Sequence, residues 1–214
     1  MSEENARTVA VYEEFGEKYL ARNAAELESN PRARADDEWQ AALLAKYTDG
    51  LAREAKIFEV GSASGRDAKT LAKLEFKNVT VSDVADFFVE HLRKEGFAPL
   101  KFNLITDEFP EEYDAIICWA VLVHFRKDEA VVAMRKIHAA LKPGGRFILS
   151  VKYKAGHEEE WGDYHNYIGA KRYFAFWGRE ELLETLTEIG FKELSVEQRG
   201  GARACWLNCC VEKV

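Results

Sequence analysis

Apolar and polar positions change rhythm twice along this chain. Between residues 5 and 29, Val9, Tyr12, Phe15, Gly16, Tyr19 and Leu20 recur at spacings of three and four, the period of a helix with one covered face. Ser29-Asn30-Pro31-Arg32 interrupts it, and a second helical pattern runs through Trp39, Leu43, Leu44 and Tyr47 to Asp49-Gly50. From residue 56, short β-branched and aromatic runs take over: IFEV (57–60), VTVS (79–82), LKFN (100–103), DAIICW (114–119) and GRFILSVKY (145–153). Helical patterns at about 66–74, 85–95 and 128–141 lie between them. Strands alternating with helices predict an α/β fold, a mostly parallel sheet with helices on both faces. The last residues differ, because FKELSVEQ (191–198) and ARACWLNCCVEK (202–213) flank Gly200-Gly201. That is a hairpin signal, so one strand of the sheet is expected to run antiparallel.

Length and composition narrow the setting. A chain of 214 residues with 47% hydrophobic residues has the size of one domain with a substantial core. A single domain, 1–214, is expected, with residues 1–50 as a helical N-terminal piece and 154–178 as an aromatic-rich insertion. No apolar run approaches the roughly 18 residues needed to cross a bilayer, and the N-terminus is acidic, which predicts a cytoplasmic protein without a membrane partner. The 37 acidic residues outnumber the 30 basic ones, a formal net charge of −7, and the first 50 residues hold 11 acids against 6 bases. Such a balance disfavours nucleic acid as a partner. Cys118, Cys205, Cys209 and Cys210 form no CxxC pair and lie near no His at metal-ligand spacing, so buried thiols in a reducing compartment and no metal are expected. Cys209 and Cys210 are adjacent, so a strand would turn them to opposite faces.

The densest chemical signal is Ile57-Phe-Glu-Val-Gly61-Ser-Ala-Ser-Gly65-Arg-Asp. A strand ending at Gly61, a turn of small residues and a helix starting near Gly65 let backbone approach a ligand closely. Asp83 follows the second strand, where a carboxylate can accept both hydroxyls of a ribose. Together these features point to a nucleoside-containing cofactor at the sheet's carboxyl edge. The bland alternative is a tight turn and a helix-capping Asp. The spacing Gly61-x-Ala63-x-Gly65 is not the GxGxxG of dinucleotide binding.

The run E-V-G-S-A-S-G followed by Asp83 resembles the cofactor loop of class I S-adenosylmethionine-dependent methyltransferases. The fourth-strand segment YDAIICWAVLVHF (113–125), the turn KPGGRF (142–147) and the terminal hairpin resemble the same family. The resemblance implies a Rossmann-like, seven-stranded, mostly parallel sheet of order 3-2-1-4-5-7-6 with an antiparallel seventh strand. Ala63 departs from the family's middle glycine, and its methyl group fits if φ is negative. Carried over position by position, Glu59 orients the loop and approaches the methionine amino group, Gly61 and Ser62 line the methionine end, Gly65 is a further cofactor-binding residue, and Asp83 holds the ribose. Val84 packs on the adenine, Asn103 and Leu104 stand at its edge, and Trp119 borders the methionine. The helix carrying Tyr12 and Tyr19 resembles the N-terminal lid of small-molecule members, with either phenol in reach of the methionine carboxylate or packing only.

The family also implies the reaction, displacement at a sulfonium methyl, which requires in-line alignment and exclusion of water more than a fixed triad. The expected acceptor is a small molecule methylated at O or N, and the chain a monomer or homodimer. A tRNA- or peptide-modifying methyltransferase and an inactive cofactor-binding module are the alternatives. Candidate bases are His124, His165 and Tyr153, and Trp161, Tyr164, Tyr167 and Tyr173 in the insertion are candidates to line the acceptor pocket. Packing alone is the competing explanation for each. Tyr167-Ile-Gly-Ala-Lys171 also fits the YxxxK of short-chain dehydrogenases, but it sits on a glycine-containing stretch far from a suitable serine.

Overall fold

Two helices precede the sheet. In the computed structural model, which describes residues 1–153, 156, 158–163, 168–200 and 205–214, α1 spans Glu3–Ser29 and α2 Pro31–Thr48. Ser2 caps α1 by accepting the Asn5 N–H through its hydroxyl. Asn30 closes α1 and caps α2, its carboxamide oxygen accepting the Arg32 N–H at 3.0 Å, with Pro31 in the first turn.

The α/β portion then runs β1 (Lys56–Val60), α3 (Arg66–Lys73), β2 (Asn78–Asp83), α4 (Asp86–Lys94), β3 (Leu100–Lys101) and β4 (Tyr113–Trp119). It continues through a 3-10 turn (Leu122–His124), α5 (Lys127–Ala140), β5 (Leu141–Tyr153), β6 (Glu159–Gly162) and β7 (Arg172–Ala175). α6 (Arg179–Ile189), β8 (Phe191–Gly200) and β9 (Cys205–Lys213) end the chain. The main sheet has the order β3-β2-β1-β4-β5-β9-β8. Its first five strands are parallel, and β9 is antiparallel to both β5 and β8. Setting aside β6 and β7, which pair only with each other, this is the expected 3-2-1-4-5-7-6. The insertion, read from sequence as an aromatic loop, contains this second antiparallel sheet.

Strand alternation divides the core in two. Phe58, Ile116, Phe147 and Leu149 face α5 and α6, whereas Ile57, Ile117 and Ile148 face Leu43, Leu44 and Tyr47 of α2 and Leu71 of α3. Cys209 and Cys210 fall on opposite faces as the alternation requires. Strand β3 is shorter than the expected 100–103. The Asn103 side chain accepts the Ile105 N–H (2.9 Å), and Asp107 accepts the Asn103 N–H (2.9 Å), so local turn bonds end the ladder.

Helix α1 lies across the carboxyl edge of the sheet, and it docks through polar and small residues. Its buried positions are Asn5, Thr8 and Gly16, not the apolar stripe its periodicity predicts. A Cβ on Gly16 would stand 2.2 Å from the ring of Phe87, so only glycine lets α1 and α4 approach this closely. Glu13 caps α4 from a distance, accepting the Asp86 N–H (2.6 Å) and the Phe87 N–H (2.9 Å). Glu13→Ala removes both acceptors. The expected cost is about 1 kcal/mol in urea unfolding, with amides of α1 exchanging faster and those of β4 and β5 unchanged.

Candidate active site

The turn after β1 is built from left-handed backbone. Gly61 has φ 70°, Ala63 φ 43° and Gly65 φ 72°. Ala63 thus contradicts the expectation of a negative φ: its methyl group is carried in a conformation that L residues rarely adopt. Two backbone bonds stitch the turn together, from the Gly65 N–H to the Ser62 carbonyl (2.7 Å) and from the Ser62 N–H to the Ser82 carbonyl (2.8 Å). The Ala63 N–H donates to Asp83 Oδ2 (3.0 Å), and the other oxygen of Asp83 accepts the Ala85 N–H (3.0 Å). One carboxylate therefore ties the first loop to the start of α4.

This corner is acidic. Asp83 is 5% exposed, and burial pushes its pKa up to about 6 despite the backbone N–H groups that favour the charged form. Glu59, on β1 beneath the turn, is pushed well above the usual carboxylate range by burial and by the neighbouring Asp67, with a hydrogen bond from Ser62 opposing. Its Oε2 is buried and has no hydrogen-bond partner among the described residues. Arg66 grips Asp67 with two bonds, at 2.8 and 2.9 Å.

Tyr12 enters from α1. Its ring meets Tyr19 edge-on (5.6 Å) and Phe88 of α4 at 5.9 Å. Its hydroxyl lies 2.9 Å from His124 Nε2 and accepts from Arg172 Nη1 at 3.1 Å. The other imidazole nitrogen, Nδ1, is 2.8 Å from the Tyr173 carbonyl. A carbonyl only accepts, so Nδ1 carries the proton, Nε2 is the acceptor and Tyr12 donates to it. Burial, together with the nearby charges of Arg172 and Lys152, pushes the His124 pKa down to about 3 against a bond to Tyr173 that raises it. Asn5 donates to the His124 carbonyl (3.3 Å), and Thr8 Oγ1 accepts the Tyr173 N–H (3.0 Å), fastening α1 to β7.

Several expected residues stand elsewhere. The indole of Trp119 faces the α2 side, where it stacks near Tyr47 (6.4 Å), donates to Asn208 (3.3 Å) and packs in the core. Leu104 is 3% exposed and packs with Phe102 and Phe58 in the main core, and Asn103 spends its carboxamide oxygen on its own turn. Val84 is half-buried beside Asp83. Tyr153 is half-buried against the main core. Trp161 and Tyr173 meet edge-on (5.8 Å) on the β6–β7 hairpin, with Arg7 of α1 over the indole at 4.5 Å. His165, Tyr164 and Tyr167 lie outside the described residues. Sequence reasoning missed Arg172; its position immediately before the apolar run Tyr-Phe-Ala-Phe-Trp, where a cation must be buried with its strand, was the available signal.

A family profile described as a methyltransferase domain matches residues 14–196. The chain belongs to that family, in keeping with its resemblance to class I S-adenosylmethionine-dependent methyltransferases. It is 31% identical over 161 residues to the demethylspheroidene O-methyltransferase of Rhodobacter capsulatus, a match that covers 67% of this chain but 38% of that protein. The chain thus spans well under half the length of that relative. Among solved structures, the magnesium protoporphyrin IX methyltransferase of Synechocystis PCC 6803 with bound S-adenosylmethionine superposes with TM-score 0.76 at 14% identity. It covers 100% of this chain and 99% of that one. The N-methyltransferase NodS of Bradyrhizobium japonicum WM9, bound to S-adenosylhomocysteine, gives TM-score 0.69 at 19% identity, covering 95% and 98%. No described helix is long and apolar enough to cross a membrane.

The turn itself makes a prediction. A Cβ on Gly61 would stand 2.5 Å from Cγ2 of Val121, a stiff β-branched side chain, at a backbone φ of 70°. Gly61→Ala is expected to destabilise the protein by about 1–3 kcal/mol, read as a lower denaturant midpoint with an unchanged slope.

Proposed function

We propose that this enzyme binds S-adenosylmethionine over the Gly61–Gly65 turn and moves its methyl group to an O or N atom of a small-molecule acceptor. The observation that carries this reading is the pairing of two acids at one corner: a buried carboxylate oxygen of Glu59 without a partner among the described residues, and Asp83 bridging the turn to α4. The residues fit the cofactor. Glu59, at the base of the turn, suits its ammonium group, Asp83 suits the ribose hydroxyls, and the open backbone at Gly61, Ser62 and Gly65 permits close approach. When bound, the cofactor supplies a methyl group already activated by its sulfonium. The names of the relatives, an O-methyltransferase and an N-methyltransferase among them, support either atom.

The chain's own contribution is placement. Helix α1 covers the edge and excludes water, while Tyr12 stands between the acid corner and the hairpin. His124 serves as the acceptor that positions Tyr12 and not as the general base. At neutral pH a group pushed down to about 3 rarely takes a proton, and its lone pair is already engaged.

Two measurements test this. The ribose hydroxyls favour the ionised form of Asp83, so S-adenosylhomocysteine should bind fully above pH 6 and weaken as pH falls through about 6. The loss by pH 5 should reach up to about tenfold, and Asp83→Asn should flatten the profile. An affinity independent of pH in the wild type would place the ribose elsewhere. For His124, labelled cofactor and a screened acceptor give the rate. His124→Ala should lower turnover about tenfold, the size of one lost hydrogen bond, and His124→Gln, which can still accept from Tyr12, should restore most of it. Equal losses in both variants, with a pH profile following an imidazole, would return the histidine to the role of base.

A further inference from the structure

Left-handed backbone recurs at the carboxyl edge, on the strand next to β1. Among the described residues only three besides glycine have positive φ, and two of them, Ala63 (43°) and Ala120 (60°), directly follow β1 and β4. These two strands pair with each other, with β2 outside β1 and β5 outside β4, so the strand order turns between them. A sheet of this kind takes its ligand in the crevice outside the carboxyl ends of such a pair.

Both alanines are held in the same way. Each N–H donates to a buried side-chain oxygen on the strand just outside, Ala63 to Asp83 at the end of β2 (3.0 Å) and Ala120 to Ser150 Oγ on β5 (2.9 Å). Ser150 is fully buried and stands in register with Trp119, the residue before Ala120. A residue in a sparsely populated conformation persists only where its surroundings fix it. What the strain secures is Val121. Its Cγ2 would stand 2.5 Å from a Cβ on Gly61, so the turn after β4 is packed onto the first residue after β1. Gly61, Ala120 and Val121 are only half-buried, so this seam opens at the edge. The Val121 carbonyl accepts the His124 N–H (3.0 Å), and the same step therefore sets the 3-10 turn that carries His124.

We propose that Ser150 is a positioning residue for the bound cofactor: by holding Ala120 left-handed it seats Val121 against Gly61 and fixes the gap between the turns after β1 and β4. Asp83 secures one wall of that gap and Ser150 the other. A ligand that touches both walls loses affinity when either drifts, because the displaced wall must be ordered again on binding. A hydroxyl suits the second wall, since it accepts one N–H without adding charge to an edge where Glu59 and Asp83 are already buried. The identity of the ligand rests on the methyl-transfer reading, but the hold on the two turns is measurable with no ligand present.

Ser150→Ala deletes the acceptor. In the unliganded protein, hydrogen exchange should quicken at least about fivefold over residues 120–125 and 61–65 and keep wild-type rates in α6 and β8. Calorimetric affinity for S-adenosylhomocysteine should fall about tenfold, the scale of one lost hydrogen bond. Adding Ala120→Gly to Ser150→Ala should recover most of that loss and slow both segments again, because glycine adopts a φ of 60° without strain. A serine that only fills the core would gain nothing from the glycine. Wild-type exchange in both segments, an unchanged affinity, or a loss that the glycine does not relieve would overturn the proposal. Should Ser150→Ala fail to melt cooperatively, Ser150→Cys, similar in volume but a weak acceptor, takes its place with the same expectations. A wild type that does not bind S-adenosylhomocysteine, with exchange behaving as expected in the variants, would sink the cofactor reading and leave Ser150 as the residue that holds the two turns.

Discussion

The bond from the Ala63 N–H to Asp83 is the contact on which the rest of the site depends. It crosses from the loop after β1 to the end of β2, so it sets the spacing between the two chain segments at the carboxyl edge. Holding an alanine at a left-handed φ costs on the order of 1 kcal/mol, and a hydrogen bond to a charged acceptor contributes about 1.5–3 kcal/mol. The bond therefore outweighs the strain while Asp83 is ionised. Burial works against that ionisation, so the geometry of the turn and the charge of the carboxylate are one coupled property.

Charge is laid out asymmetrically around that contact. Glu59, Asp67 and Asp83 gather under and beside the turn, with Arg66 the cation bonded to Asp67. On the other side of Tyr12 lie Arg172 and Lys152. Because α1 covers both halves, little water screens this field, and effects of a few kcal/mol become available from charges that water would mute.

Much of this was legible in the amino-acid order. Period-two runs and glycine turns located the strands, and Glu59, Gly61, Gly65 and Asp83 announced themselves because their geometry is local: a turn and a strand end fix them whatever the rest of the chain does. Side-chain direction was harder to read at Trp119, Asn103 and Leu104: being near a strand end does not say which face a side chain takes, and the indole of Trp119 packs toward α2. The polar underside of α1 was equally hidden. Its apolar spacing described a helix, but Asn5, Thr8 and Gly16 make the close contacts, and those depend on partners more than a hundred residues away for Asn5 and Thr8.

The same distance explains why α1 can act on both halves of the site at once. Glu13 is bonded to the first turn of α4, one residue before it Tyr12 meets His124, and four before that Thr8 holds β7. Within a single helix these positions are rigidly spaced, so α1 cannot leave the hairpin without also pulling on the element that follows Asp83. If the cofactor binds over the Gly61–Gly65 turn as proposed, access for cofactor and acceptor is thereby linked: a motion that opens one side loosens the other. A lid fastened by hydrogen bonds suits that task, because each bond is worth only about 1 kcal/mol net and is replaced by water when it opens. An apolar seam of the same area would expose its surface at greater cost on every opening.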